Sequence, residues 1–77
     1  MSYSIDETYK IIQDIGYITF CVSDIVDIMI LSKPDIDRKK ATSAVSRHLQ
    51  RMAKQGYIEF VCYRHNGSIR CYEYRVV

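Results

Sequence analysis

The region around Gly56 constrains the fold most strongly, because the spacing of the apolar residues changes there. Before Gly56, residues such as Val45 and Leu49 recur at helical spacing, so they form one face of an amphipathic helix that ends at the glycine. After it, apolar residues alternate along the chain, and Asn66-Gly67 is the strongest short signal for a hairpin turn. The sequence therefore predicts a helix that leads directly into a β-hairpin.

The first quarter of the chain predicts a helix followed by a short strand. Ser4 and Glu7 have the spacing of a capping box, and Gly16 can supply a left-handed end. The first helix is therefore predicted over residues 5–15. Residues 17–22 are mostly β-branched or aromatic, which favours a short strand.

Two further helices are predicted before Gly56. The second is capped by Ser23 or Asp24, is apolar nearly all round and ends before Pro34, so we expect it to be buried on several sides. The third begins between Asp37 and Thr42. Asp37 is a good N-cap, but the cations at 38–40 would then lie at the positive end of the helix dipole. Either the helix is long or a basic loop precedes it.

Length and composition favour a single folded domain over residues 1–77. A chain of 77 residues has room for one modest core, and 48% hydrophobic with 26% charged residues is typical of a globular protein. The start is acidic and polar, unlike a secretory signal, and the most apolar run, residues 25–31, is too short to span a bilayer. We therefore expect a cytoplasmic protein without membrane contact.

The sequence contains no motif for catalysis, metal binding or a cofactor. Three cysteines and two histidines lack the spacing of a zinc site, and nucleophile elbows, phosphate-binding glycine loops and paired carboxylates are missing. We expect no enzyme, no cofactor and no small-molecule substrate.

Pairing across an Asn66-Gly67 turn would set Cys62 opposite Cys71, so a disulfide is conceivable, although free thiols are the favoured interpretation.

Charge is distributed unevenly along the chain. Residues 1–36 contain two Lys and six Asp or Glu, whereas residues 37–77 contain nine Lys or Arg and three acidic residues, for a net charge of +2. Such asymmetry predicts that the second half faces a polyanion.

On the third helix, the face opposite Val45 carries polar and cationic side chains and no acid: Lys40, Ser43, Arg47, Gln50, Arg51 and Lys54. A face exposed only for solubility usually mixes both signs, although a solvated surface is the alternative.

These residue types suit a nucleic-acid groove. Arg and Gln can pair with guanine and adenine edges, and a helix about 10–12 Å across fits a major groove about 12 Å wide. The predicted hairpin tip is also basic and carries no acid; its polar residues include Arg64, His65 and Arg70. The tip therefore favours a nucleic-acid surface over a merely solvated helix face.

A basic helix followed by a hairpin with a basic tip resembles the winged helix-turn-helix fold. The segment AVSRHLQRMAKQGYIEF (44–60) is similar to the recognition helix and first wing strand of many small microbial and phage transcription regulators. ITFCVSDIVDI (18–28) resembles the short strand and positioning helix that precede them. The resemblance covers nearly the whole chain. It implies an α+β, mainly α fold with the order helix-strand-helix-helix-strand-strand and a C-terminal β-hairpin wing.

The resemblance also implies double-stranded DNA as the partner and a role in transcription regulation. The residues it places on base edges are Thr42, Ser43, Ser46, Arg47 and Gln50. Those it places on the DNA backbone or in the wing are Arg38, Lys39, Lys40, Arg51, Lys54, Arg64, His65 and Arg70. Since one module reads few base pairs, a homodimer is a further expectation. A protein-interaction module and an RNA or non-specific nucleic-acid binder are the alternatives.

Two further features are the tyrosines of the hairpin and His48. Tyr63, Tyr72 and Tyr74 are expected to form a cross-strand cluster on one hairpin face. That face is either a surface for a dimer or partner, or a cover for the first helix. His48 lies at the edge of the apolar helix face, and we interpret it as a packing residue.

Overall fold

Three helices followed by an antiparallel hairpin make up a mainly helical α+β fold. A computed structural model describes the backbone of residues 4–66 and 69–77 and the side chains of residues 4–63 and 72–77. The elements are α1 (Ile5–Ile15), α2 (Val22–Ser32), α3 (Arg38–Gln55), β1 (Ile58–Asn66) and β2 (Ile69–Val76). The predicted order is confirmed except for the strand before α2.

The core lies where α3 packs against α2, α1 and the base of β1. Val45, Leu49 and Met52, the predicted inner face of α3, are all buried. They pack against Phe20 and Ile25, which are completely enclosed. The amphipathic pattern of α3 therefore correctly predicts which side of this helix is buried.

Helix α1 has the predicted bounds, but its capping differs from the expected box. The Ser4 hydroxyl oxygen accepts a hydrogen bond from the backbone N–H of Asp6 at 3.1 Å. The Glu7 carboxylate pairs with the Lys33 ammonium group at 3.0 Å, which connects α1 to the residue after α2. Gly16 ends the helix with φ 65°, as predicted.

The strand predicted over residues 17–22 is wrong, because only Phe20 forms a β-bridge. Phe20 and Tyr74 exchange two backbone hydrogen bonds, at 2.9 and 2.8 Å. The pairing stops there because Cys21 is already the N-cap of α2, and its N–H donates to the Asp24 carboxylate at 3.0 Å. The cap predicted at Ser23 or Asp24 is therefore also wrong.

Helix α2 is less enclosed than its composition predicts. Ile25, Val26 and Met29 are buried, but Leu31 in the last turn is 82% exposed. Burial is thus one-sided near the end of the helix, which stops at Ser32 before the proline as expected.

Helix α3 begins at Arg38, so the long-helix alternative is correct. The Asp37 carboxylate accepts hydrogen bonds from the N–H groups of Lys39 and Lys40, at 2.9 and 3.4 Å. The guanidinium of Arg38 pairs with the Asp27 carboxylate on α2 at 2.8 Å. Two carboxylates thus offset the repulsion between these cations and the helix dipole.

The hairpin exists, but its register differs from the predicted one. Counting back from the pair Asn66–Ile69 sets Cys71 opposite Arg64 and Glu73 opposite Cys62, and a β-bulge then lies between Cys62 and Phe60. The expected Cys62–Cys71 pair is therefore wrong. β1 ends at Asn66 and β2 begins at Ile69, which shifts the pairing by two residues from the predicted register. Residues 67 and 68 lie outside the described part of the chain.

At the junction between α3 and β1, replacing Gly56 by a residue with a side chain is expected to destabilise the protein. The φ of Gly56, 88°, is left-handed, and nothing lies within 4 Å of where a Cβ would be. We therefore expect Gly56→Ala to lower the free energy of unfolding by about 1–2 kcal/mol through conformation alone. Gly56→Asn is the control and should lose less, since Asn tolerates this region. Urea denaturation measures both, and an unchanged Gly56→Ala protein would contradict the expectation.

Candidate nucleic-acid interface

One face of α3 is exposed along its whole length and carries no acidic residue. We call this face the α3 stripe and define it by Lys40, Ser43, Arg47, Gln50, Arg51 and Lys54, all of which are exposed. The stripe lies opposite the buried face because the helix repeats every 3.6 residues. From Ser43 to Lys54 it extends about 16 Å along the helix, at 1.5 Å per residue.

In the part of the chain whose side chains the structure describes, no carboxylate pairs with a cation of the α3 stripe. Among the described side chains, the ion pairs are Lys33–Glu7, Arg38–Asp27 and Arg75–Glu59. None of them includes a stripe residue. The positive charge on this face is therefore available to an external anion.

The predicted base-contacting residues fall into two groups. Ser43, Arg47 and Gln50 follow one another at helical spacing on the exposed face. Thr42 and Ser46 lie nearer its side. The Thr42 hydroxyl donates to the Arg38 carbonyl at 2.7 Å, and Ser46 is half-buried. The central line of the stripe is therefore Ser43, Arg47 and Gln50.

The three basic residues at the start of α3 have different surroundings. Lys39 and Lys40 are exposed in the first helical turn. Arg38 is held at the α2–α3 junction by its ion pair with Asp27. Its guanidinium therefore contributes to the packing of the two helices as well as to the surface charge.

The predicted wing residues can be placed only by register. Backbone pairing sets Arg64 opposite Cys71 and His65 opposite Arg70, toward the distal end of the hairpin. The side chains of these residues lie outside the described part of the chain. Their contact with nucleic acid therefore stays a prediction.

His48 connects α3 to α1, in agreement with the packing role predicted for it. Its Nδ1 atom lies 2.8 Å from the hydroxyl oxygen of Thr8, which is completely buried. This contact fixes the rotation of α3 relative to α1. It thereby helps to determine the direction in which the α3 stripe faces.

Sequence reasoning missed Phe60 as part of the hairpin's aromatic cluster. Strict alternation puts Phe60 and Tyr63 on opposite faces, but their ring centroids are 5.0 Å apart. The cause is the bulge at Val61, and no turn residue in the sequence marks it. Tyr63, Tyr72 and Tyr74 do cluster, as predicted.

Comparison with known proteins gives no relative for this chain. No protein family matches it, and no curated protein or solved structure is significantly similar to it. In residues 4–66 and 69–77, no helix is both long and apolar enough to cross a membrane. The same part of the chain contains no cluster of His, Cys, Asp or Glu suited to a metal ion. The function must therefore be argued from the α3 stripe.

Proposed function

We propose that the protein is a winged helix-turn-helix transcription regulator that binds double-stranded DNA sequence-specifically. Helix α3 enters the major groove, and the hairpin contacts the DNA backbone or the minor groove as a wing. The observation that carries the proposal is the α3 stripe, which is exposed, free of acid and, among the described side chains, without ion pairs. Such a surface attracts phosphate and has no other described electrostatic partner.

The order of side chains along the stripe supports base recognition in its middle. Arg47 and Gln50 carry forked polar groups that match guanine and adenine edges, and Ser43 can contact either a base or a phosphate. Cations flank this line along the helix axis, with Lys40 before Ser43 and Lys54 after Gln50, and Arg51 lies to one side of it. They would hold the helix on the two phosphate backbones while the central residues read the bases.

The arrangement of the other elements supports the same proposal. Helix α2 precedes α3 through the short connection 33–37, and its packing against the inner face of α3 leaves the stripe outside. The hairpin follows α3 after only two residues. Helix and wing therefore lie close enough to contact one stretch of DNA.

Salt dependence provides the first test. We expect the protein to bind random duplex DNA with an affinity that falls steeply as salt rises, with a logarithmic slope of about −3 or steeper if Lys40, Arg51 and Lys54 each neutralise a phosphate. Lys54→Ala should reduce the slope by about one, because it removes one phosphate contact. Fluorescence anisotropy with a labelled duplex measures both quantities.

The matched control is Lys10→Ala, which removes the same charge from α1. Lys10 is exposed and lies outside the stripe, so the salt dependence of DNA binding by Lys10→Ala should have the same slope as that of the unmodified protein. An equal loss in both variants would show that only net charge matters. Absence of salt-dependent binding at low ionic strength would favour a protein-interaction module, and tighter binding to duplex RNA would favour an RNA binder.

A further inference from the structure

The hairpin carries an exposed aromatic patch beyond the core. We define the hairpin patch as Phe60, Tyr63 and Tyr72, which are 45%, 52% and 42% exposed. The ring centroids of Tyr63 and Tyr72 are 4.9 Å apart, and Phe60 lies within 5.8 Å of both. Buried Tyr74 joins the patch to the core, and its burial raises the pKa of its hydroxyl, with a further contribution from Tyr72.

The bulge in β1 creates this patch. Without it, Tyr63 would lie on the opposite face of the hairpin from Phe60. Bulges add one residue to a strand and redirect the side chains that follow. Here the redirection gathers three large apolar rings on one surface, although exposing them to water is unfavourable. Exposed apolar patches of this kind are often binding surfaces.

The geometry of the rings favours a protein partner over nucleobases. Base stacking requires an open aromatic face. In the hairpin patch the rings meet edge to face, at interplanar angles of 63°, 73° and 85°, so the rings already cover part of one another's faces. What remains is a continuous apolar surface with tyrosine side chains, which is typical of protein interfaces.

We propose that the hairpin patch is the surface through which two copies of this chain associate. The described side chains on this hairpin face, Ile58, Phe60, Tyr63, Tyr72, Tyr74 and Val76, carry no charge. An uncharged apolar patch is complementary to itself across a two-fold axis. This allows a protein with net charge +2 to self-associate without placing like charges in the centre of the contact.

Charge selects the antiparallel arrangement of the two hairpins. By register, His65 and Arg70 continue the patch face toward the hairpin tip, so two tips lying side by side would bring their Arg70 charges together and repel. In the antiparallel arrangement, each tip points toward the base of the other hairpin. That base is next to Phe20 and the start of α2, in the acidic half of the chain that includes Asp24.

The area of the patch predicts a weak dimer. Fully burying an aromatic side chain covers about 150–250 Å², so the exposed parts of the three rings amount to about 300 Å² in each copy. Two copies would bury about 600 Å² in the apolar centre, which is below the roughly 1,200 Å² of a stable interface and corresponds to a weak, transient contact. We therefore expect association at micromolar or higher concentrations. This inference does not depend on DNA binding.

Sedimentation equilibrium of the full chain without DNA tests the proposal. The average mass should rise from that of one chain toward that of two between micromolar and millimolar concentration. Tyr63→Ser and Tyr72→Ser should each weaken association by about tenfold. Tyr17→Ser is the matched control, because Tyr17 is 53% exposed but lies outside the patch, and it should associate like the unmodified protein.

The possible outcomes separate clearly. Circular dichroism melts establish that each variant is folded before its mass is compared. A monomer up to millimolar concentration would overturn the proposal. Association that Tyr63→Ser and Tyr72→Ser leave unchanged would also overturn it, because a different surface would then form the contact.

Discussion

Arg47→Ala is expected to reduce the preference of the protein for its best duplex over random duplex by about tenfold to a hundredfold. Arg47 lies in the centre of the α3 stripe and is exposed. A bidentate contact between arginine and guanine contributes about 1–3 kcal/mol of discrimination between bases. The duplex is first selected from a random pool, and the two affinities are then compared at the same salt concentration.

The control for Arg47→Ala is Lys54→Ala, which removes a cation from the same face of α3. A phosphate contact carries little sequence information, so Lys54→Ala should weaken binding to selected and random duplex by the same factor. If Arg47→Ala also lowers both affinities equally, Arg47 contacts phosphate and the proposed role of the central stripe residues is incorrect.

Phe20→Ala should have the largest effect on stability. The Phe20 ring is completely buried, and its centroid lies 6.5 Å from that of Tyr74. Truncation of a buried Phe to alanine typically costs about 3–5 kcal/mol. A protein of this length has a total free energy of unfolding of about 4–12 kcal/mol, so the variant loses a large part of its stability.

Ile18→Ala provides the comparison for Phe20→Ala. Ile18 is two residues away and is exposed, so its truncation should change the free energy of unfolding by no more than about 0.5 kcal/mol. Urea denaturation followed by circular dichroism gives both values. Similar stabilities for the two variants would contradict the central position of Phe20 in the core.

The helices could be predicted where their ends depend on local residues. The bounds of α1 follow from Ser4 and Gly16, and the end of α3 follows from Gly56. The start of α3 could not be decided, because the charge of Arg38 is offset by Asp27 on a different helix. That contact exists only once α2 and α3 have packed together.

The hairpin shows the limit of reasoning from periodicity. Alternation predicted both strands, but the strands meet at Asn66 and Ile69 rather than at His65 and Ser68, which shifts the pairing from the tip to Cys62 by two residues. This is why the expected Cys62–Cys71 pair is wrong, while the tyrosine cluster is confirmed. The α3 stripe was predictable because its exposure depends only on the helical period and the buried face of the same helix.

The pairing of Phe20 with Tyr74 has a consequence for how the chain is held together. These two residues are separated by more than fifty others, so their bridge closes a loop with an entropic cost of about 3–4 kcal/mol. Such a contact can form only when both ends of the loop are already held by packing. The last strand is therefore needed to fix the backbone that enters α2, and removing it would loosen the first half of the protein as well as the hairpin.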